Sequence, residues 1–224
     1  MNFRNAIADF RFLKNRGYPD KAALKLVSDR YRLSAVARNA LFRAVFADTD
    51  CRRRAQKLVQ GSAVRGRELG VDWYNVLITV ESYLKGFPVF LADDGLLRDS
   101  SGVHGSYKPG RVTPTAIDRI LEALAGLRAG GLALFLDSPI SFSGAMAEEL
   151  RDRLASLETP FVVLVEPSAD YPLKSFEGVV ATSDSSIIDR ERVRAVLDLP
   201  RWVLESAYGA RPRPVEELEL GGSA

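Results

Sequence analysis

The chain has 224 residues, of which 46% are hydrophobic and 27% charged, a composition typical of a globular protein with a buried core. Its single cysteine, Cys51, excludes an internal disulfide and a multi-cysteine metal site, and it favours a reducing, cytoplasmic location. No run approaches the roughly 18 apolar residues that a membrane span needs, so no membrane association is expected.

The formal net charge of +2 hides an uneven distribution of charge along the chain. Residues 1–67 hold 16 Lys or Arg against 5 Asp or Glu, a net charge of +11, which leaves −9 for the remaining residues. A basic module joined to an acidic one predicts that the first module binds a polyanion. The alternative is that the basic side chains are simply solvated.

Residues 1–62 show the apolar spacing of a small, basic, all-helical domain with four helices. A short turn separates the second and third helices, as in a helix-turn-helix unit, with Arg38, Asn39 and Arg43 facing outward. Helical hairpins of this kind also serve as structural, dimerisation or protein-docking units, so a homodimer is a second expectation. The candidate contacts to a nucleic-acid backbone are Arg38, Arg43, Arg52, Arg53 and Arg54.

A small, polar stretch from Gly61 to Arg67 is predicted to be a linker, and residues 67–206 then form an α/β domain. In its central strand, five apolar residues follow a double glycine and run into Asp137, as in a strand buried on both faces. Strands that alternate with helices of about 10 to 15 residues predict a parallel sheet. The predicted fold is α/β: a parallel sheet of four to six strands flanked by helices, preceded by the small all-α domain.

Two segments of this part of the chain are predicted to be irregular. The Gly- and Ser-rich stretch from Gly95 to Gly110 is expected to be a long loop, and it carries His104, Arg98 and Lys108. These side chains and the loop amides are candidate contacts to a substrate phosphate, with a plain surface loop as the alternative. Residues 207–224, rich in Pro and Gly, are predicted to be a disordered tail.

Three predicted strands lead into an aspartate: Asp72, Asp137 and Asp184. If these strands are parallel neighbours, the three carboxylates converge in one crevice at the carboxyl edge of the sheet. Like charges so close raise one another's pKa values and cost energy unless a cation lies among them, and hard oxygen ligands select Mg²⁺ or Mn²⁺. Beside a polyanion-binding module, this predicts metal-dependent phosphodiester hydrolysis. The alternative is that each aspartate only caps the helix that follows it.

A family resemblance adds to this interpretation. The stretch from Asp72 to Leu77 (Asp-Trp-Tyr-Asn-Val-Leu) resembles the Asp-Gly-Tyr-Asn-Val motif of the NYN branch of PIN-like nucleases, with Trp73 in place of the glycine. The strand that ends in Asp137 is similar to that branch's second strand, and Asp170 falls where the family has a third acid. The stretch from Val179 to Asp184 resembles its Thr-Ser-Asp signature. The whole chain is also similar to a prokaryotic family that pairs such a domain with a basic helical one.

The resemblance implies a PIN-like fold with a Mg²⁺- or Mn²⁺-dependent ribonuclease activity. In this view Asp72, Asp137, Asp170 and Asp184 are the catalytic acids and metal ligands, and Asn75 and Thr182 orient a ligating carboxylate. RNA is then a more natural partner than DNA. A second hypothesis is a catalytically silent module that docks on nucleic acid or protein. A haloacid-type phosphatase is disfavoured, because Pro139 occupies the position of its second aspartate.

Overall fold

The computed structural model describes residues 3–102 and 107–220. Within them the helices are α1 (Phe3–Asn15), α2 (Asp20–Tyr31), α3 (Ala35–Ala44), α4 (Asp48–Ala55), α5 (Trp73–Leu84), α6 (Thr113–Leu127), α7 (Ser143–Leu154), α8 (Asp170–Leu173), α9 (Ser185–Ile188) and α10 (Leu199–Tyr208). The strands are β1 (Leu58–Val59), β2 (Glu68–Asp72), β3 (Val89–Leu91), β4 (Leu97–Asp99), β5 (Gly131–Asp137), β6 (Phe161–Glu166), β7 (Val179–Ala181) and β8 (Val196–Leu197). None of these helices combines the length and the apolar character needed to cross a bilayer.

Six strands form one parallel sheet in the order β1-β8-β7-β2-β5-β6. Gly70 on β2 lies opposite Ala133 on β5 and Val180 on β7, so the predicted strands are direct neighbours. The predicted fold class is therefore confirmed: an α/β domain with a parallel sheet flanked by helices, preceded by a helical region.

Both faces of the sheet are covered, which explains the near-continuous apolar strands. Helices α5, α6, α7 and α10 pack on one face, and α8 and α9 pack on the other. Gly70 is required on the second face: a Cβ atom there would lie 3.0 Å from the Phe176 ring and 3.1 Å from Leu173. The missing side chain thus lets the segment that begins at Asp170 approach β2 closely.

The helical region has a core of its own, in which Phe10 and Leu41 are fully buried. This core also includes Phe90 from β3 and Val215 from the last described segment of the chain. Val215 is only 1% exposed. The backbone N–H of Leu91 donates to the carbonyl of Arg213 at 2.9 Å. The expectation of a disordered tail from residue 207 is therefore wrong up to residue 220, because this segment completes the helical core.

The connection between the two parts is also ordered, which corrects the predicted linker. Leu58 and Val59 form β1, which already pairs with β8 in the main sheet. Gly61 and Val64 lie in a buried 3₁₀ turn, and a Cβ atom on Gly61 would lie 2.9 Å from the Trp202 ring. The chain thus passes from helical region to sheet without a flexible joint.

Two further segments differ from expectation. The sequence also predicts a helix from Ile187 to Leu197, but this segment contains the end of the short α9 and then β8, whose pairing with β1 and β7 supplies backbone hydrogen bonds. The predicted loop over residues 95–110 begins with β4, which pairs antiparallel with β3. This hairpin packs between the helical region and the sheet domain.

Candidate functional site

Four acidic side chains lie at the carboxyl edge of the parallel sheet. Asp72 ends β2, Asp137 ends β5, Asp170 begins α8 after β6, and Asp184 directly precedes α9 after β7. Asp72 is opposite Phe135 in the register, so Asp137, two residues further along, lies on the same face as Asp72. Parallel pairing thus brings together all four predicted acids along one edge.

Asp72 is the most deeply buried of the four, with 4% exposure. The pKa of its carboxyl is raised to about 8, mainly by burial and also by the negative charges of Asp184, Asp137 and Asp170, against the opposing hydrogen bond from Thr182. In that bond the Thr182 hydroxyl donates to Oδ2 of Asp72 at 2.8 Å, so Thr182 holds this carboxyl group in place. The four acids are therefore close enough to repel one another electrostatically.

Helix capping explains only one of these aspartates. Asp184 caps α9, because its Oδ1 accepts from the backbone N–H of Ser186 at 2.8 Å. Asp72 stands at the cap position of α5, but its side chain does not cap that helix, all of whose residues are described. Asp137 accepts from the backbone N–H of Ala169 at 2.9 Å, which ties the end of β5 to the start of α8. The capping alternative is thus insufficient for Asp72 and Asp137.

Asp170 and Asp184 share a hydroxyl group that the sequence did not single out. The Ser186 hydroxyl lies 3.0 Å from Oδ2 of Asp170 and 3.2 Å from Oδ2 of Asp184. Lys174, one helical turn after Asp170, donates to the same Asp170 oxygen at 2.8 Å. This ion pair could have been predicted from the sequence, because Asp170 and Lys174 are four residues apart and such residues are neighbours on a helix.

Asn75 has a different role from the predicted one. Its Oδ1 accepts from both the backbone N–H of Ser183, at 2.8 Å, and the Ser183 hydroxyl, at 3.0 Å. The amide therefore fixes the turn that carries Asp184 rather than orienting a carboxylate itself. The reason is that the first turn of α5 lies beside the end of β7.

Arg98 and Arg54 are buried in an ion network, which corrects their prediction as substrate contacts. Arg98, 3% exposed, donates to Asp94 at 2.6 Å and to the carbonyl of Ser183 at 2.9 Å. Arg54 donates to Asp94 at 3.1 Å and to Asp189 at 2.7 Å. Burial alone would lower the pKa of Arg54, but Asp189 and Asp94 hold it above its ordinary value. Both guanidinium groups therefore form buried hydrogen bonds that link the helical region, the hairpin and the sheet domain.

The outward face of α3 is partly covered by the hairpin. Asn39 donates to the carbonyl of Ser100 at 3.5 Å, and Arg43 donates to Asp99 at 3.1 Å. Arg38 remains exposed. Because a recognition helix must present this face to a DNA groove, the packing of Asn39 and Arg43 argues against a helix-turn-helix contact.

The other predicted substrate contacts have varied surroundings. Arg52 and Lys108 are exposed. Arg53 is exposed but forms ion pairs with Asp50 at 2.9 Å and with Asp189 at 3.0 Å. His104 lies outside the described residues.

A cleft of about 280 Å³ opens beside the acids, between the sheet edge and the helical region. Acidic side chains at the sheet edge line this cleft, and residues of α3 and its neighbours line it as well. The lining residues are Asp20, Phe42, Arg43, Phe46, Asp72, Asn75, Ile78, Arg98, Asp99, Asp170, Ser183, Asp184 and Ser185.

The chemistry of these acidic side chains suits a hard divalent cation. Carboxylate and hydroxyl oxygens are the donors that Mg²⁺ and Mn²⁺ prefer. The pKa of Asp72 is raised by burial and, to a smaller extent, by the neighbouring negative charges, and a cation would offset those charges. Across residues 3–102 and 107–220, however, no three His, Cys, Asp or Glu side chains form a complete ligand group. A bound ion would therefore retain several waters, as Mg²⁺ commonly does.

Comparison with known proteins places the chain in a family. Residues 61–202 match a domain of unknown function, DUF5616, and residues 2–57 match a protein of unknown function, DUF434. An uncharacterized protein of Methanocaldococcus jannaschii, MJ0935, is 35% identical over 205 residues, which cover 92% of this chain and 98% of that protein. No solved structure matches the chain. The chain belongs to the DUF5616 family, with a DUF434 region preceding its α/β domain.

Proposed function

We propose that this protein is a divalent-metal-dependent nuclease that hydrolyses phosphodiester bonds in RNA. The observation that carries the proposal is Asp72: a buried carboxyl, with its pKa raised to about 8, in the field of three other strand-end acids. A site of like charges is costly to maintain, so strongly perturbed acids in a cleft favour a functional role over a structural one. The motifs shared with the NYN branch of PIN-like nucleases support the same activity.

In this proposal Asp72, Asp137 and Asp184 hold Mg²⁺ or Mn²⁺, partly through water, and Asp170 is a fourth acid. When bound there, such an ion would supply positive charge against the scissile phosphate and would lower the pKa of the attacking water. Thr182 keeps the carboxylate of Asp72 oriented through its 2.8 Å hydrogen bond. Asn75 holds the turn that positions Asp184 through its two bonds to Ser183.

RNA is the proposed substrate because the two parts of the chain differ in charge. The acidic crevice alone would repel a polyanion, whereas residues 1–67 carry a net charge of +11. Counterion release by exposed Lys and Arg is the usual source of nucleic-acid affinity. Arg38 and Arg52 are exposed in this region and remain proposed backbone contacts, whereas Arg54 is buried and is not one.

Replacing Asp184 with Asn tests the activity. Asn is as good a helix cap as Asp, so α9 should persist while one negative charge is removed from the site. Loss of one charged ligand should lower the rate of cleavage of labelled single-stranded RNA with Mn²⁺ by about 100-fold or more. Asp118→Asn is the matched control, because Asp118 is an exposed acid on α6 whose partner is Arg153. Equal cleavage rates for wild type and Asp184→Asn would rule out the proposed site.

A second candidate function is a catalytically silent module that docks on nucleic acid or protein. It is favoured by one observation: over the two described ranges, no complete three-residue ligand group is formed. Calorimetric titration with Mn²⁺ distinguishes the two. Binding in the micromolar to millimolar range that is lost in Asp184→Asn supports the nuclease, and RNA binding without any Mn²⁺ binding supports the silent module.

A further inference from the structure

The cleft is lined by aromatic as well as by acidic side chains. Asp72, Asp170 and Asp184 of the sheet domain line the cleft, and so do Phe42 and Arg43 of the helical region. The site is therefore built from both parts of the chain. The contribution of α3 is not explained by the metal chemistry, which involves only the sheet edge.

Phe42 is exposed where its neighbours on α3 are buried. Its exposed fraction is 46%, while Leu41 and Ala44 are completely buried in the helical core. Phe46 also lines the cleft, but its ring is covered by the guanidinium groups of Arg54, at 4.4 Å, and Arg98, at 4.8 Å. Among the described residues, no aromatic ring or cation occupies the face of Phe42. The apolar ring of Phe42 is therefore accessible to a ligand in an otherwise largely polar cleft.

Arg43 provides a hydrogen-bond donor beside this ring. Its Nη2 donates to Asp99 at 3.1 Å, and Asp99 is itself only 1% exposed, so the guanidinium is held in a fixed position. The Nε atom of Arg43 is buried, and it has no hydrogen-bond partner within the described part of the chain. Nε itself is closed off from the cleft, but the Arg43 side chain as a whole is 27% exposed. The exposed part of the guanidinium can therefore donate to an oxygen atom of a ligand in the cleft.

We propose that Phe42 and Arg43 form a base-binding subsite, in which one nucleobase stacks on the Phe42 ring and an oxygen of the same nucleotide accepts from the exposed part of the Arg43 guanidinium. This inference rests on the proposed nuclease function and extends it, because the helical region then selects which nucleotide lies beside the scissile phosphate. A cleft of about 280 Å³ is near the lower limit, roughly 300 Å³, of small-ligand sites. A cleft of this volume accommodates a single nucleotide. That nucleotide must be unpaired and unstacked, because a base has to leave a duplex to enter such a pocket.

Stacking on an aromatic ring gives a predictable effect on affinity. Removing one such ring weakens the binding of single-stranded nucleic acid by about fivefold to a hundredfold. Phe42→Leu should produce a loss of this size, while Phe42→Tyr should keep wild-type affinity because it retains the ring. Phe12→Leu is the matched control, since Phe12 is also an exposed phenylalanine of the helical region, at 57%, and it does not line the cleft.

The experiment uses the full chain, Mn²⁺ and short single-stranded RNAs that carry 2-aminopurine at successive positions. Stopped-flow fluorescence, recorded before cleavage, reports stacking as quenching of the 2-aminopurine signal. Wild type, Phe42→Tyr and Phe12→Leu should quench it at one position, and Phe42→Leu should abolish that quenching and raise the KM with little change in kcat.

Two outcomes overturn the inference in distinguishable ways. If wild type binds and cleaves RNA, but Phe42→Leu matches it in quenching and in KM, the base-binding subsite is wrong and the proposed nuclease stands. If wild type neither binds nor cleaves any of the RNAs with Mn²⁺, the proposed function itself fails and the subsite fails with it. Thermal unfolding of each variant verifies that Phe42→Leu is folded, as expected for an exposed position.

Discussion

Replacing Asp94 with Ala is expected to destabilise the protein by about 3–5 kcal/mol, because the variant leaves two buried guanidinium groups without their shared carboxylate. Asp94 is 1% exposed and accepts from Arg98 at 2.6 Å and from Arg54 at 3.1 Å. Burial alone would raise the pKa of Asp94, but the two arginines hold it below its ordinary value. The folded state therefore depends on the charged form of this side chain.

The network also joins segments that are distant in sequence. Arg54 belongs to α4 of the helical region, and Asp189 follows α9 in the sheet domain. Arg98, in the hairpin, donates to the carbonyl of Ser183, next to Asp184. We therefore expect the helical region and the sheet domain of the wild-type protein to unfold together in a single transition.

Thermal and urea unfolding measure both expectations. For a chain of this length, a loss of 3–5 kcal/mol lowers the Tm by roughly 6–20 °C. Glu122→Ala is the matched control: its partner Arg119 lies on the surface of α6, and the change should stay within about 0.5 kcal/mol. Similar stabilities for Asp94→Ala and Glu122→Ala would contradict the structural role of the network.

The second prediction is that replacing Asp72 increases the stability of the protein, whereas replacing Asp94 decreases it. Asp72→Asn should stabilise the metal-free protein at alkaline pH, because it removes a charge whose burial is unfavourable. The pKa of Asp72 is about 8 in the folded state against an ordinary value of 3.8. Between pH 3.8 and about pH 8, the carboxyl of Asp72 therefore keeps its proton in the folded state but has released it in the unfolded state. The stability of the folded state thus falls as the pH rises, by up to about 1.4 kcal/mol per pH unit.

The expected signature is a difference between wild type and Asp72→Asn that grows from pH 4 to pH 8 and is constant above pH 8. Asp198 also has a pKa raised by burial, to about 6, but it is present in both proteins and its effect cancels in the comparison. Urea unfolding at several pH values in the presence of EDTA supplies the measurement. A difference that does not change with pH would show that Asp72 is ionised in the folded state.

Divalent cations should reverse the ranking of these two proteins. A ligand that binds only the folded state stabilises it by about 2.7 kcal/mol at 100 times its Kd. Mn²⁺ should give wild type a gain of this kind and give Asp72→Asn a much smaller one. An equal gain in Tm for both proteins would remove Asp72 from the proposed metal site.

The fold class and the positions of the acids were predictable because their signals are local. An apolar run after Gly131 that ends in Asp137 identifies a buried strand and its carboxyl end within seven residues. The same pattern identifies β2 with Asp72 and β7 with Asp184. Alternation with helices then implies parallel strands, which bring such ends to one edge. The order of the strands, and the covering of both faces, followed from packing.

Burial of charge could not be predicted, because it depends on partners that are far away in sequence. A basic side chain in a polar stretch has the same local pattern whether it faces solvent or a buried acid. Arg54 meets Asp189, which is 135 residues away, and Arg98 meets the carbonyl of Ser183, 85 residues away. Only the tertiary structure decided that these two arginines join the parts of the chain while Phe42 is exposed in the cleft that the acids also line.

The short elements were decided in the same way. Strands β1 and β8 have two residues each, too few for a periodic signal, and they exist because each pairs with a neighbour in the sheet. The tail with Val215 lacks an apolar pattern of its own, yet it is ordered by the core of α1 and α3. The sequence alone determined which residues can form strands and carry negative charge at their ends. Long-range packing determined which side chains are buried, paired or open to a ligand, since those free energies arise only when distant segments meet.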